Sequence, residues 1–146
     1  MKILTTLLEL QNEAGKFVHA LVQKKDSATL VTLAGELGAG KTSFAQGVAR
    51  ELGITEIVTS PTFVLLKSYE VPEVKDTNFK RLIHIDAYRL EGGKSVAPLE
   101  LEKYLKDSES LILLEWPEMI QGELPDPDSK ISLEVLSDNT RSITYG

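Results

Sequence analysis

One stretch of the chain, GELGAGKT, places glycines, a lysine and a threonine at the spacing of a phosphate-binding loop. It runs from Gly35 to Thr42 and fits the pattern G-x-x-x-x-G-K-[ST]. Glycines let such a loop bend so that successive backbone N–H groups point at phosphate oxygens, and the positive end of the following helix strengthens the attraction. Lys41 would neutralise the β- and γ-phosphates of a nucleotide, and Thr42 would offer a hydroxyl to Mg²⁺. We therefore expect these residues to contact a nucleotide: Gly35, Glu36, Leu37, Gly38, Ala39, Gly40, Lys41, Thr42 and Ser43.

Phosphoryl transfer to water also needs a metal held by a carboxylate and an oriented water molecule. Two acids follow apolar segments that are typical of strands: Glu115 follows Leu111 to Leu114, and Asp86 follows His84 and Ile85. P-loop proteins place the acid that faces the metal at such a strand end. Each acid could instead be a solvated carboxylate.

A third candidate is Thr62, in the segment Ser60-Pro61-Thr62-Phe63. Its hydroxyl could sense the γ-phosphate and Mg²⁺ as a switch segment does, or it could lie in an ordinary turn. The catalytic candidates are thus Lys41, Thr62, Asp86 and Glu115, and the candidate ligands of Mg²⁺ are Thr42, Asp86 and Glu115.

The segments around the glycine-rich loop are those that its chemistry requires. Ala28 to Ala34 (ATLVTLA) is β-branched and apolar, as in a buried strand, and Lys41 to Leu52 repeats apolar residues every four positions before Gly53. Thr6 and Glu9 have the spacing of a capping box, which predicts an amphipathic helix whose apolar residues run from Leu7 to Val22 and which ends at Lys24 and Lys25. The loop is therefore predicted to connect a strand to a helix.

The rest of the chain alternates strand-like and helical segments. We predict an antiparallel hairpin, a short helix, a second buried strand and a closing strand pair; these are Thr62 to Val71 with Lys80 to Ile85, Leu99 to Leu105, Ser110 to Leu114, and Lys130 to Leu136 with Arg141 to Tyr145. The predicted fold class is α/β: one domain over residues 1–146, a P-loop NTPase-like mixed sheet that contains an antiparallel hairpin and is flanked by helices.

Composition limits the classes of partner. The 146 residues carry a net charge of −6 and no cysteine, so the chain lacks the basic field that drives unaided binding to nucleic acid or anionic membranes, and it lacks thiolate metal sites. Glu9 interrupts the short apolar N-terminal stretch, and no run approaches the ~18 apolar residues of a membrane span. We expect a cytoplasmic protein that does not bind membranes.

Four segments in this order resemble the TsaE family, also called YjeE: GELGAGKTSF (35–44), SPTF (60–63), HIDAYRL (84–90) and EWPE (115–118). The resemblance covers nearly the whole chain. It implies a small bacterial ATPase that binds ATP or ADP with Mg²⁺ and is required for the threonylcarbamoyladenosine modification of adenosine 37 in tRNAs that read ANN codons. It also implies the partners TsaD, which carries the transfer chemistry, and TsaB, with tRNA contacted only indirectly through the complex.

The resemblance also assigns roles to residues. It places Lys41 on the phosphates, Thr42 and Glu115 at the metal, and makes Asp86 the second functional acid and Thr62 the threonine of the SPT segment. It suggests that the base and ribose lie near Thr5 to Leu8 and near Thr140 with Arg141. We interpret Trp116 as a partly buried ring at the sheet edge, and His84 as a hydrogen-bonded imidazole that positions a loop, with a general base as the alternative.

Hydrolysis by the chain alone is expected to be slow, because the sequence shows no obvious internal arginine finger: Arg50, Arg81, Arg89 and Arg141 are isolated. Two other functions stay open. One is a binding module whose ATP or ADP state sets its affinity for a partner, with incidental hydrolysis. The other is a small-molecule P-loop kinase, for which the span from Leu90 to Glu115 looks too short and too acidic to form an acceptor lid.

Overall fold

A computed structural model of the chain describes residues 1–59, 66–73, 77–90, 101–137 and 139–146. In these ranges the chain forms one seven-stranded sheet with helices packed on it. The strands are β1 (Lys2–Leu4), β2 (Thr29–Ala34), β3 (Leu66–Glu70), β4 (Arg81–Asp86), β5 (Ser110–Glu115), β6 (Ser129–Val135) and β7 (Arg141–Tyr145). The helices are α1 (Leu7–Ala20), α2 (Lys41–Glu51) and α3 (Leu101–Leu105), with 3₁₀ segments at Ala87–Leu90 and Pro117–Glu123.

The sheet is parallel at its centre and antiparallel at its edges. Its strand order is β1-β7-β6-β2-β5-β4-β3. Strand β2 is parallel to both β5 and β6, and β4 is parallel to β5. Strand β3 joins β4 as the predicted antiparallel hairpin, and β7 is antiparallel to β6 and β1. The predicted mixed α/β sheet flanked by helices is confirmed.

The central strands are apolar throughout because both of their faces are covered. All six residues of β5 are buried. On one face α1 and α2 bury a cluster that includes Leu10, Phe44 and Val48. On the other face a second cluster, which includes Ile112 and Ile120, lies under α3 and the 3₁₀ segment after β5. The carboxyl ends of β2, β4 and β5 are thereby held rigidly at one edge of the sheet.

Helix α1 begins as its capping pattern predicts. The Thr6 side chain accepts a hydrogen bond from the Glu9 backbone N–H at 3.0 Å. The Glu9 carboxylate accepts in turn from the Thr5 backbone N–H at 2.7 Å, one residue before the N-cap. The helix ends at Ala20, before the predicted end at Lys24 and Lys25, because Leu21 is extended and its N–H donates to the Val18 carbonyl.

Strand β1 has no counterpart in the sequence prediction, since three residues are too few to show a periodicity. It is held by tertiary contacts. Lys2 donates to Glu13 of α1, and Tyr145 of β7 donates to the other oxygen of the same carboxylate, each at 2.8 Å. Burial raises the pKa of Glu13, but these two hydrogen bonds together with the positive charges of Lys2 and Lys16 outweigh it, and the pKa is lowered.

Several predicted features lie outside the described residues: the segment 60–65 with Thr62, the loop after Leu90, and the first residues of the short helix. The described parts agree with the prediction. The first hairpin strand is seen as Leu66–Glu70, and the short helix as Leu101–Leu105. In the parts of the chain that are described, no helix is both long and apolar enough to cross a membrane.

Candidate nucleotide-binding site

The glycine-rich loop connects the end of β2 to the start of α2, as its chemistry requires. Gly40 has φ +108° and caps helix α2, and a Cβ added there would lie 2.6 Å from a methyl carbon of Leu10. Gly35 and Gly38 also have positive φ, at +155° and +81°. These backbone conformations strain residues other than glycine. The glycines of the motif are therefore conformational requirements of the loop.

A cavity of about 270 Å³ opens at this loop. It joins the loop to both candidate acids and to an arginine, and its lining is Leu7, Leu37, Gly38, Gly40, Lys41, Thr42, Ser43, Asp86, Glu115 and Arg141. The structure thus brings together most of the residues that the sequence singled out. Gly35, Glu36 and Ala39 belong to the loop but do not line this cavity.

Of the residues predicted to contact the base and ribose, the cavity includes only some, and their contact with a nucleotide stays a prediction. The cavity is lined by Leu7 and not by Leu8, because consecutive residues of a helix point in directions about 100° apart. Leu8 is exposed to solvent. Thr140 also lies outside the lining, whereas its neighbour Arg141 contributes to it.

Asp86 and Glu115 are the last residues of the parallel strands β4 and β5 and are paired in register. Glu115 is also in register with Leu33 of β2, the strand that leads into the loop. Burial raises the pKa of Asp86, a backbone hydrogen bond from Tyr88 opposes the rise, and the negative charge of Glu115 adds to it. Two neighbouring carboxylates at the same strand ends attract a cation, which would relieve their repulsion.

Glu115 is 2% exposed, which excludes the interpretation as a solvated acid. His84 Nε2 lies 2.5 Å from Glu115 Oε2, and the imidazole is fully buried. Its other ring nitrogen has no hydrogen-bond partner within the described ranges. His84 therefore holds a carboxylate of the site, whereas the sequence suggested that it positions a loop. One oxygen of Glu115 is thus held by His84, and the residue lines the cavity.

Lys41 is nearly buried, at 5% exposure. Its ammonium donates to the carbonyl of Gly35 and, at 2.9 Å, to that of Glu36. Burial lowers the pKa of Lys41, and the negative charges of Glu115, Asp86 and Glu118 oppose the shift.

Arg141 is not isolated, contrary to what the sequence suggested. It is the first residue of β7, and its guanidinium donates to the Gly38 carbonyl at 3.4 Å. Its Nε is buried without a hydrogen-bond partner in the described part of the chain. The two residues are 103 positions apart, so only the pairing of β7 with β6, and of β6 with β2, brings them together.

The described residues contain no group of three or more His, Cys, Asp or Glu side chains that could hold a metal by themselves. Mg²⁺ at a nucleotide site does not need one, since it is bound by one or two carboxylates together with phosphates and water. Thr42, Asp86 and Glu115 line the same cavity. This set of oxygen donors fits Mg²⁺.

A glycine-rich loop between a parallel strand and a helix, with two acids at the ends of neighbouring strands, defines a P-loop nucleotide-binding protein. A family model described as threonylcarbamoyl adenosine biosynthesis protein TsaE matches residues 8–143. The chain therefore belongs to the TsaE family, as its four motifs suggested.

Individual relatives agree with this membership. The tRNA threonylcarbamoyladenosine biosynthesis protein TsaE of Bacillus subtilis (strain 168) is 38% identical over 116 residues, which cover 80% of this chain and 68% of the relative. The protein of the same name from Rickettsia bellii is 34% identical over 137 residues, covering 93% and 90% of the two chains. The crystal structure of Bacillus subtilis YdiB matches with a TM-score of 0.74 and 30% identity, covering 99% of this chain and 82% of that one.

Proposed function

We propose that this member of the TsaE family is a Mg²⁺-dependent ATPase that serves threonylcarbamoyladenosine formation on tRNA. The observation that carries the proposal is the single cavity shared by the P-loop, Asp86 and Glu115. Backbone N–H groups and a lysine suit the phosphates, while the buried acids suit a metal and a water molecule. The site needs no further reactive side chain, because phosphoryl transfer depends mainly on positioning and charge neutralisation.

Each residue has a distinct role in this proposal. Lys41 and the loop amides bind the phosphates, and Thr42 and Glu115 hold Mg²⁺. Asp86 is in register with Glu115 and lines the same cavity; it positions or activates the attacking water and is also proposed as a ligand of Mg²⁺. Mg²⁺, when bound, neutralises charge that develops on the phosphates. Thr62 is proposed as the sensor of the γ-phosphate.

Arg141 and the neighbourhood of Leu7, Leu8 and Thr140 are proposed to contact the base and ribose, next to the phosphates held by the loop. Arg141 lies against the loop through Gly38. Its position supports a contact with the nucleotide close to the phosphates.

The proposed metal assignment is tested with Glu115→Ala. Mg²⁺-dependent hydrolysis of ATP is expected to disappear, while ADP still binds in calorimetry because the P-loop is unchanged. Glu134→Ala, which removes an exposed acid of β6, is the matched control and should hydrolyse ATP at the wild-type rate. Undiminished hydrolysis by Glu115→Ala would discard the assignment.

We further propose that the chain acts with TsaD and TsaB and meets tRNA only through them. The net charge of −6 supports an indirect contact, since it opposes independent binding of a polyanion. Capture of TsaD and TsaB by the purified chain, with and without ATP, tests this. Capture that is absent under both conditions would reject the partnership.

The same reconstituted mixture separates the ATPase from a binding module. If Asp86→Ala abolishes hydrolysis and also abolishes tRNA modification, turnover of ATP is required. If modification is fully restored by this variant, the nucleotide acts as a switch and its hydrolysis is incidental. Phosphate transferred to a metabolite in place of water would indicate a kinase.

A further inference from the structure

The indole of Trp116 lies over the phosphate-binding lysine. The Lys41 ammonium is 4.5 Å from the centroid of the Trp116 ring. A cation this close to the face of an indole is attracted by the negative charge density of the ring, most strongly where water is excluded. The lysine is 5% exposed, so the attraction operates in a largely desolvated environment.

The backbone holds the indole in this position. Trp116 follows the last residue of β5 and has the left-handed conformation φ 61°, ψ 52°, which is uncommon for a residue with a large side chain. Its N–H donates to the carbonyl of Leu33 at 3.3 Å, which ties it to the strand that leads into the P-loop. The ring also packs against Tyr88, with the ring centroids 4.9 Å apart. The ring is therefore anchored to β2, β5 and the segment after β4.

The indole stabilises the charge of Lys41 without using one of its N–H donors, whereas a hydrogen-bond acceptor would use one. A lysine ammonium has three N–H donors, and the described contacts use two of them on the carbonyls of Gly35 and Glu36. The ring stabilises the positive charge through its face without accepting a further hydrogen bond. One donor is left for a phosphate oxygen.

We propose that Trp116 is a positioning residue of the nucleotide site, which holds the Lys41 ammonium over the P-loop through a cation–π contact. This inference rests on the proposed binding of nucleotide phosphates by Lys41, and it adds that the residue after the strand-end acid sets the place of the lysine. Tyr88 packs against the indole and helps to hold it in place.

A double-mutant cycle without nucleotide tests the contact itself. The unfolding equilibrium constant is measured in urea for the wild type, Trp116→Leu, Lys41→Met and the double variant. Leucine keeps apolar bulk and meets the same left-handed backbone cost as tryptophan, and methionine keeps the stem of the lysine. Trp116→Leu is expected to change the constant about tenfold more when Lys41 is present than when methionine replaces it. Equal changes in the two backgrounds would overturn the proposal.

Affinity for ADP tests the functional consequence. Trp116→Leu is expected to weaken ADP binding roughly tenfold in calorimetry, and Trp116→Phe, which keeps an aromatic face, to weaken it less. Tyr104→Leu is the matched control, because it removes a ring that packs on the same core cluster but lies near Lys103. Unchanged or tighter ADP binding by Trp116→Leu, or equal losses for leucine and phenylalanine, would contradict a positioning role.

Fluorescence provides a measurement that needs no variant of Trp116, should Trp116→Leu fail to fold. The chain has a single tryptophan. Its emission is expected to change in Lys41→Met, because the charge beside the ring is lost, and to stay constant in Lys103→Met. Identical emission spectra of the wild type and Lys41→Met would overturn the proposal. The cycle and the spectra require no ATP hydrolysis, so the contact can stand where the proposed ATPase fails, and the reverse.

Discussion

The close contact of helices α1 and α2 gives a sharp prediction for Gly47→Ala. A Cβ at Gly47 would lie 2.5 Å from the Gln11 carbonyl oxygen, 2.7 Å from the Gln11 Cα and 2.8 Å from the Ala14 Cβ. The first two atoms belong to the backbone of α1 and cannot rotate away, so the helices must separate. Forcing an extra methyl into a packed interface costs about 1–3 kcal/mol.

Gly15 supplies the matched control, because Gly15→Ala makes the same chemical change inside α1. Its added Cβ would approach only the Glu51 side chain within 3.4 Å, at 3.1 Å from a carboxylate oxygen that can swing aside. Alanine is favoured over glycine in a helix by about 1 kcal/mol at either position. We therefore expect Gly15→Ala to stabilise the protein by up to about 1 kcal/mol, and Gly47→Ala to destabilise it by up to about 2 kcal/mol after the helical gain is subtracted.

Urea unfolding followed by circular dichroism measures both variants against the wild type. With a slope of about 1–3 kcal/mol per molar urea, a difference of this size moves the midpoints of the two variants to opposite sides of the wild-type midpoint. A Gly47→Ala protein as stable as Gly15→Ala would refute the packing of α1 on α2 described above. Because α2 starts at Lys41, it would also question how that packing supports the P-loop.

Three further changes have expected outcomes. Glu13→Gln should cost about 1–3 kcal/mol of unfolding free energy near neutral pH, because it weakens the hydrogen bonds from Lys2 and Tyr145. The folded pKa of Glu13 is lowered, so the carboxylate stabilises the fold above its ordinary pKa of 4.5, and this contribution fades as the pH falls through the folded pKa. The denaturation curves of the two proteins should therefore converge in acid. Thr6→Ala removes the N-cap of α1 and should lower the unfolding free energy by about 1 kcal/mol, whereas Thr6→Ser should lower it less; urea unfolding measures both. Asp86→Asn should abolish ATP hydrolysis but stabilise the protein by less than about 1 kcal/mol at pH 7, because burial raises the folded pKa of Asp86 and its ionised form opposes folding. The gain in stability should vanish at a pH below both the unfolded and the folded pKa. A loss of stability at pH 7 would contradict this account.

Local sequence patterns predicted most of the helices and strands, because each of these elements is determined mainly by residues that are close in the chain. The apolar run of β2 and the four-residue repeat of α2 each indicate one element, and Gly53, with φ +83°, ends the helix where glycine is favoured. Strand β1 escaped prediction because its pairing with β7 joins opposite ends of the chain. Its three residues carry no pattern of their own.

For the site, the sequence by itself determined the glycine loop and Lys41, since these residue types at these spacings serve few other purposes. It pointed to the two strand-end acids, and the burial of Glu115 in the tertiary structure excluded a solvated carboxylate there. Only the tertiary structure decided that His84 holds Glu115, that Arg141 reaches Gly38, and that Leu7 lines the cavity. A phosphate-binding loop is built from consecutive backbone N–H groups, so a short local segment of the sequence is enough to predict it. Contacts between side chains on different strands depend on sheet order and register, which arise from the burial of the whole core and which no local segment specifies.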